Sequence, residues 1–178
     1  MATFIRRASS GDAGVGPERI GYLEAHGTGT RLGDPIEVRA ALAVYGDRGT
    51  APPLHLGAVK ANVGHLELAA GMASVLKAVL VLQHRQIPGQ PGFEVTNPAL
   101  ELHGATIPTS LVPWPAGTSL AAVSGFGLSG TNVHLLLEGG VPATEAPIGV
   151  DRPVHVIGLS AASEASLVAL AAGLRRPR

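Results

Sequence analysis

Cysteine is absent from the 178 residues. Disulfides, zinc–thiolate sites and a thiol nucleophile carried by this chain are thereby excluded. Aromatic residues are scarce, at 3% of the chain, which leaves little material for a base-stacking platform. Net charge is missing too. Thirteen basic side chains balance 13 acidic ones, so neither nucleic acid nor a membrane surface is indicated as a partner. The first seven residues hold two arginines, but no apolar run follows them, and no secretory signal is read there. The longest apolar stretch, 66–82, is interrupted by Glu67, Ser74 and Lys77, and reads as a buried helix rather than a membrane span. A cytoplasmic protein is the expectation.

What remains is a chain 46% hydrophobic and 15% charged, enough to fill the core of one ordinary domain by aliphatic packing. In chain order, 9–18 is rich in Gly, Ser and Asp and reads as a loop. A short strand is expected at 20–25, followed by a small-residue loop, Glu24-Ala25-His26-Gly27-Thr28-Gly29-Thr30. In Asp34-Pro35-Ile36-Glu37 the acid suits an N-cap, the proline the first helical position, and the glutamate a capping box. That helix should end at Gly46. Pro52-Pro53 precedes a second strand at 54–59, and a long helix is expected at 66–84, apolar on nearly every face and so placed in the protein's middle. Strand, helix, strand, helix argues for a layered α/β architecture. The Pro- and Gly-rich 88–117 reads as a connection with one short strand near 105–107. Strands are expected at 120–124, 133–138 and 154–159, a linker at 139–147, and an amphipathic helix carrying Leu167, Leu170, Ala171 and Leu174. The last residues, Arg175-Arg176-Pro177-Arg178, stop mid-architecture by this pattern.

The stretch 59–71 carries a lysine, an asparagine, a glycine and a histidine at a strand-to-helix junction, where open α/β sheets bind their ligands. His26 and His65 each follow an expected strand and stand beside glycine. In a parallel sheet both strand ends share one edge, so the two imidazoles can converge there with Lys60 beside them. A helix N-terminus behind His65 disfavours imidazolium, which suggests a neutral histidine donating a hydrogen bond to a substrate oxygen. His55, His84, His103 and His155 read as structural, and His134 as a core or strand-face residue. Gly125-x-Gly127-x-x-Gly130 matches the dinucleotide pattern in letters, but a strand rather than a helix follows it, so no phosphate site is read there. Its glycines suit a tight turn whose backbone lies close to a ligand. Glu24, His26, His65 and Glu67 offer the ligand types of a zinc hydrolase, but such i, i+2 pairs arise readily by chance, and no metal is expected.

Glu24-Ala25-His26-Gly27-Thr28-Gly29-Thr30 with Gly33-Asp34-Pro35-Ile36-Glu37, then Lys60-Ala61-Asn62-Val63-Gly64-His65-Leu66-Glu67, then Ser124-Gly125-Phe126-Gly127-Leu128-Ser129-Gly130-Thr131-Asn132-Val133-His134 resemble β-ketoacyl synthases, in particular the ketosynthase domain of modular type I polyketide synthases. The similarity covers about residues 15–138. It implies a thiolase-like α/β fold, of which this chain is similar to the C-terminal half of the layered α-β-α-β-α arrangement. Residues 1–140 would be ketosynthase, and 141–178 a linker with the start of the region leading to an acyltransferase.

The resemblance further implies a decarboxylative Claisen condensation of an acyl thioester with a malonyl-type extender. The catalytic residues would be His26, His65 and Lys60. Thr28 and Thr30 would meet the phosphopantetheine arm. Phe126 would gate the pocket and lend its N–H to an oxyanion hole, while Glu67, around Lys60, and Asn62 would be in support. No cofactor would be bound directly, phosphopantetheine being carried by the acyl carrier protein. Partners implied are that carrier, the N-terminal ketosynthase half and, in the intact enzyme, a second copy. The family's cysteine-bearing half is absent from these residues, so the chain alone is expected to condense nothing. The apolar face of the long helix and the sheet edge should be uncovered. The alternative is a non-catalytic relic, or a docking or dimerisation module. Leu68 departs from the alanine usual in the family and is expected to tighten the helix packing.

Overall fold

The computed structural model of the chain describes residues 1–140 and 158–174. His155, the strand expected at 154–159 and most of the linker at 139–147 lie outside the described residues. Contacts divide the chain into Met1–Val141 and Pro142–Arg178. The described part of the second unit contains one helix, Glu164–Leu174, opened by Ser163, whose hydroxyl accepts from the Ser166 N–H at 3.3 Å.

The first unit is built on a sheet of β1 (Ile20–Glu24), β2 (Leu54–Gly57), β4 (Ala105–Thr106), β6 (Leu120–Phe126) and β7 (Asn132–Glu138) in the order β4-β2-β1-β6-β7. β1 lies parallel to both β2 and β6, β2 is parallel to β4, and only β7 runs antiparallel, as a hairpin with β6. β3 (Gln86–Ile87) and β5 (Val112–Pro113) form a separate antiparallel pair. The expected strands at 20–25, 54–59, 120–124 and 133–138 are present. The connection at 88–117 holds two short strands rather than one, because β5 pairs with β3 at the end of the long helix.

Every residue of β1 is buried, as a strand covered on both faces requires. An irregularity between Ile20 and Tyr22 shifts the alternation. Ile20 and Leu23 therefore share one face and pack on α1 (Ala2–Arg6) and α2 (Gly33–Tyr45) with Ile5, Val38, Ala41 and Tyr45. Tyr22 faces the other way, toward Ala78, Val81 and Leu82 of α4 (Ala70–His84). Each large apolar side chain buried here contributes about 1.5–3 kcal/mol.

The loop expected at 9–18 is instead helical over Arg7–Asp12, a π-helical turn continuing α1, with a 3-10 turn at Pro17–Arg19. Ser9 explains the difference. Its hydroxyl donates back to the Ile5 carbonyl at 2.9 Å and also meets the Tyr45 hydroxyl, so a residue that favours loops is tied into a buried helix end.

The long helix was expected in the protein's middle. In this chain only Ala70, Ser74, Ala78, Val81 and Leu82 are buried, whereas Met72, Leu76 and Leu80 are 63%, 57% and 52% exposed. The helical stretch Glu67–His84 is long and apolar enough to cross a membrane, but one side of it covers the sheet. Leu68 is fully exposed and tightens no packing.

Candidate functional site

Three neighbouring strands release the chain at one edge of the sheet. β1 leads to His26, β2 to Lys60 and His65, and β6 ends at Phe126. The His26 and His65 rings lie 5.7 Å apart between centroids at 85°. The Phe126 ring also meets that of His26, at 5.6 Å and 72°.

The loop that presents His26 is held by α2. Glu37 is buried, and its carboxylate accepts from the His26 N–H at 2.7 Å and the Gly27 N–H at 2.9 Å. Asp34 accepts from the Gly29 N–H at 3.1 Å, and the Thr30 hydroxyl accepts from the Gly33 N–H at 3.1 Å. The expected capping box is thus corrected. Leu32, at the N-cap position, makes no side-chain cap; Thr30 takes the first helical N–H, and the two acids reach back to the loop's N–H groups, which need acceptors. Gly27 is required at this point. Its φ is +47°, and a Cβ would stand 2.5 Å from that of Ala58.

The tautomers of both imidazoles follow from backbone donors. Phe126 N–H donates to His26 Nδ1 at 3.4 Å, and Glu67 N–H donates to His65 Nδ1 at 3.0 Å. An Nδ1 that accepts is unprotonated, so each ring is neutral with its proton on Nε2, ready to donate. Burial lowers the His26 pKa, and the Lys60 and His65 charges lower it further. The Phe126 N–H is therefore engaged with His26 in this structure rather than open to a substrate oxygen. Glu67 holds φ +50° to aim its N–H at His65, a strained conformation for a non-glycine residue. α4 begins at Ala70 behind a 3-10 turn, Glu67–Ala69, so His65 sits a turn ahead of the long helix rather than directly at its start.

Lys60 opens a one-turn helix, α3 (Lys60–Val63), and is half-buried. Partial burial lowers its pKa, while Glu24 and Glu37 oppose that. Glu24 and Glu37 are thus the carboxylates whose charge favours the Lys60 ammonium. The Glu67 side chain is exposed, and so is Asn62, whose N–H donates to the Val59 carbonyl at 2.8 Å while its side chain makes no hydrogen bond among the described residues. Thr28 and Thr30 line the loop and are exposed, as is His65. The site is therefore open to solvent on the side of His65 in this chain. Among the described residues no cluster of three metal-ligating side chains occurs. Glu24, weighed as a ligand, is turned inward onto Lys77 at 3.1 Å.

Glu24 and Glu37 were missed as supports of the site. A glutamate inside an apolar strand was a legible signal for Glu24, because a buried carboxylate needs a partner. Glu37 was noticed for the wrong partner. His134 is buried between the Tyr45 hydroxyl at 2.7 Å from Nε2 and the Ser124 hydroxyl at 3.0 Å from Nδ1, so it is a core residue.

Residues 1–94 match the family model described as "Beta-ketoacyl synthase, C-terminal domain". The chain is 43% identical over 175 residues to erythronolide synthase EryA3 of Saccharopolyspora erythraea, covering 96% of this chain and 6% of that protein. It is 49% identical over 130 residues to the non-reducing polyketide synthase dpfgA of Gibberella zeae, covering 70% of this chain and 6% of that protein. Among solved structures, ketosynthase twelve of the bacillaene polyketide synthase of Bacillus amyloliquefaciens superposes with a TM-score of 0.72 at 35% identity, over 79% of this chain and 26% of that one. The chain thus spans a small fraction of the polyketide synthases it matches and about a quarter of a ketosynthase chain.

Proposed function

We propose, from the premise that the chain belongs to the β-ketoacyl synthase family through its C-terminal domain and has the thiolase-like fold of polyketide ketosynthases, that it supplies the decarboxylation and oxyanion half of a condensing site. The observation that carries this reading is the pair of neutral imidazoles, 5.7 Å apart, each with Nδ1 held by a backbone N–H. Both Nε2–H groups can then donate to one thioester carbonyl oxygen of a malonyl-type extender.

Loss of carbon dioxide leaves its electron pair on the extender's α-carbon, and the resulting enolate charge collects on the carbonyl oxygen. Fixed donors stabilise that charge without reorganising. The carbanion then attacks the carbonyl of an acyl group held as a thioester on a cysteine, and the cysteine thiolate leaves. No cysteine is among these 178 residues, so the nucleophile belongs to a cysteine-bearing half outside them. Lys60 keeps positive charge near His26 and disfavours imidazolium there. Thr28 and Thr30, exposed on the same loop, would meet a phosphopantetheine arm delivered by an acyl carrier protein, and Phe126, packed on His26, would gate the pocket.

The exposed stripe of Met72, Leu76 and Leu80 supports a partner half packed over α4. Homodimerisation of the assembled enzyme and a cytoplasmic location belong to the same reading. Co-expression with a cysteine-bearing ketosynthase half tests it. Stable pairing, an acyl-enzyme on the cysteine and a β-ketoacyl product are expected. Soluble, paired halves that form neither would leave a docking module as the better account.

A further inference from the structure

Beyond Gly57 the line of the second strand has no pairing strand on either side among the described residues. β4 pairs only with Leu54 and His55, and β1 ends at Glu24, opposite Gly57. The last strand-like contact is the Ala25 N–H on the Gly57 carbonyl at 2.8 Å. The Ala58 N–H finds no backbone acceptor there among the described residues, while its carbonyl accepts from the Ala61 N–H at 3.2 Å; one side chain meets both groups. Ala58 N–H donates to Gln90 Oε1 at 3.0 Å, and Gln90 Nε2 donates to the Ala58 carbonyl at 3.1 Å. Gln90 is itself held by its own N–H on the Pro108 carbonyl at 2.8 Å.

The next N–H, of Val59, donates to Glu24 Oε1 at 2.5 Å. The other Glu24 oxygen accepts from the Tyr22 hydroxyl and pairs with Lys77. Gly57 leaves room for this cluster, since a Cβ would stand 2.5 Å from the Tyr22 hydroxyl. Lys60 follows at once. A helix of four residues cannot orient it unaided, because one isolated turn is not stable. The direction of Lys60 is set by how the chain leaves Ala58 and Val59.

We propose that Gln90 is a positioning residue, whose amide stands in for a neighbouring strand at Ala58 and so holds Lys60 beside His26. This rests on the reading of His26, His65 and Lys60 as the reacting site. A side-chain amide offers an acceptor and a donor side by side, matching the N–H and the carbonyl of one residue; a carboxylate lacks the donor, and asparagine is one methylene short.

The test uses NMR on the full chain, comparing wild type with Gln90→Met, which keeps length and loses both hydrogen bonds. The Ala58 amide is expected to exchange about tenfold faster, while β1 and β6 amides stay protected. The His26 titration midpoint is expected to rise. The groups facing His26 are Lys60, His65 and the Glu37 carboxylate, and the variant loosens the hold on the lysine alone. Lys60→Met supplies the size of rise that loss of the ammonium produces. Gln90→Asn, a smaller disturbance, is expected to move both readouts the same way. A His26 midpoint that stays put in Gln90→Met, despite faster Ala58 exchange, overturns the proposal.

In a ketosynthase assembled with the cysteine-bearing half, Gln90→Met is expected to lose about tenfold to a hundredfold in kcat with KM for the malonyl carrier unchanged. An unchanged kcat also overturns it. An inactive wild type with the expected NMR pattern would instead sink the functional reading and leave the placement of Lys60 by Gln90 intact.

Discussion

Acid should weaken this fold through His134. The side chain is buried between Tyr45 and Ser124, and burial pulls its pKa down from 6.5 to about 4. In the unfolded chain it takes a proton near its ordinary pKa; in the folded chain it resists until about pH 4. The unfolded state therefore binds more protons across that window. Stability contributed by neutral His134 is complete above about pH 6.5, falls as the pH drops, and levels off below about pH 4. At about 1.4 kcal/mol for each pH unit, the gap is worth about 3 kcal/mol. Tyr45 offers no relief, since burial pushes its hydroxyl up to about 12 and it stays neutral throughout. The assay is urea unfolding at pH 7, 5.5 and 4 for the wild type and His134→Gln. The variant should be less stable at pH 7 by about 1–3 kcal/mol from lost hydrogen bonding, yet lose about 3 kcal/mol less than the wild type on going to pH 4. His26 and His55 are also lowered by burial, but both proteins share them, so the difference isolates His134. Parallel losses in the two proteins would refute the reasoning.

Replacing Glu37 by Gln removes a charged acceptor from the His26 and Gly27 N–H groups and turns an amide NH₂ toward one of them, at a cost of about 1–3 kcal/mol in urea unfolding. Burial raises the Glu37 pKa, so its contribution to stability is present at low pH and lost as pH rises through the folded midpoint; the variant should lack that dependence. Lys77→Met leaves the fully buried Glu24 carboxylate without its counter-charge and should cost about 3–5 kcal/mol, with much of it recovered in the Glu24→Gln/Lys77→Met double variant. Leu76→Lys with Leu80→Lys should reduce aggregation in light scattering and change stability by less than about 0.5 kcal/mol per site, while abolishing pairing with a cysteine-bearing half.

The strands and the long helix were legible because their apolar runs are bounded by Gly, Pro and short polar loops. The two histidines were legible for a similar reason: each follows a strand beside glycine, and a parallel sheet brings such ends to one edge. What the pattern could not convey was partner choice over long separations. Glu37 satisfies the capping-box rule locally, yet its carboxylate bonds ten and eleven residues back, because burying the His26 loop leaves N–H groups that need an acceptor. Gln90 sits in a Pro- and Gly-rich connection and pairs with Ala58 across 32 residues, a contact no periodicity encodes. Composition misled the placement of α4. An all-apolar helix reads as central, but its outer face is free here because nothing within the described residues covers it. Ser9 misled in the opposite sense, a loop former drawn into a helix by Tyr45.

The central claim is that His26 and His65 together stabilise the enolate oxygen. It is tested most directly by carbon dioxide release from a malonyl-loaded acyl carrier protein, in a ketosynthase combining this chain with a cysteine-bearing half. His26→Ala and His65→Ala are each expected to slow release by about a hundredfold to a thousandfold, with folding unchanged by circular dichroism. Release at the wild-type rate in either well-folded variant would contradict the account.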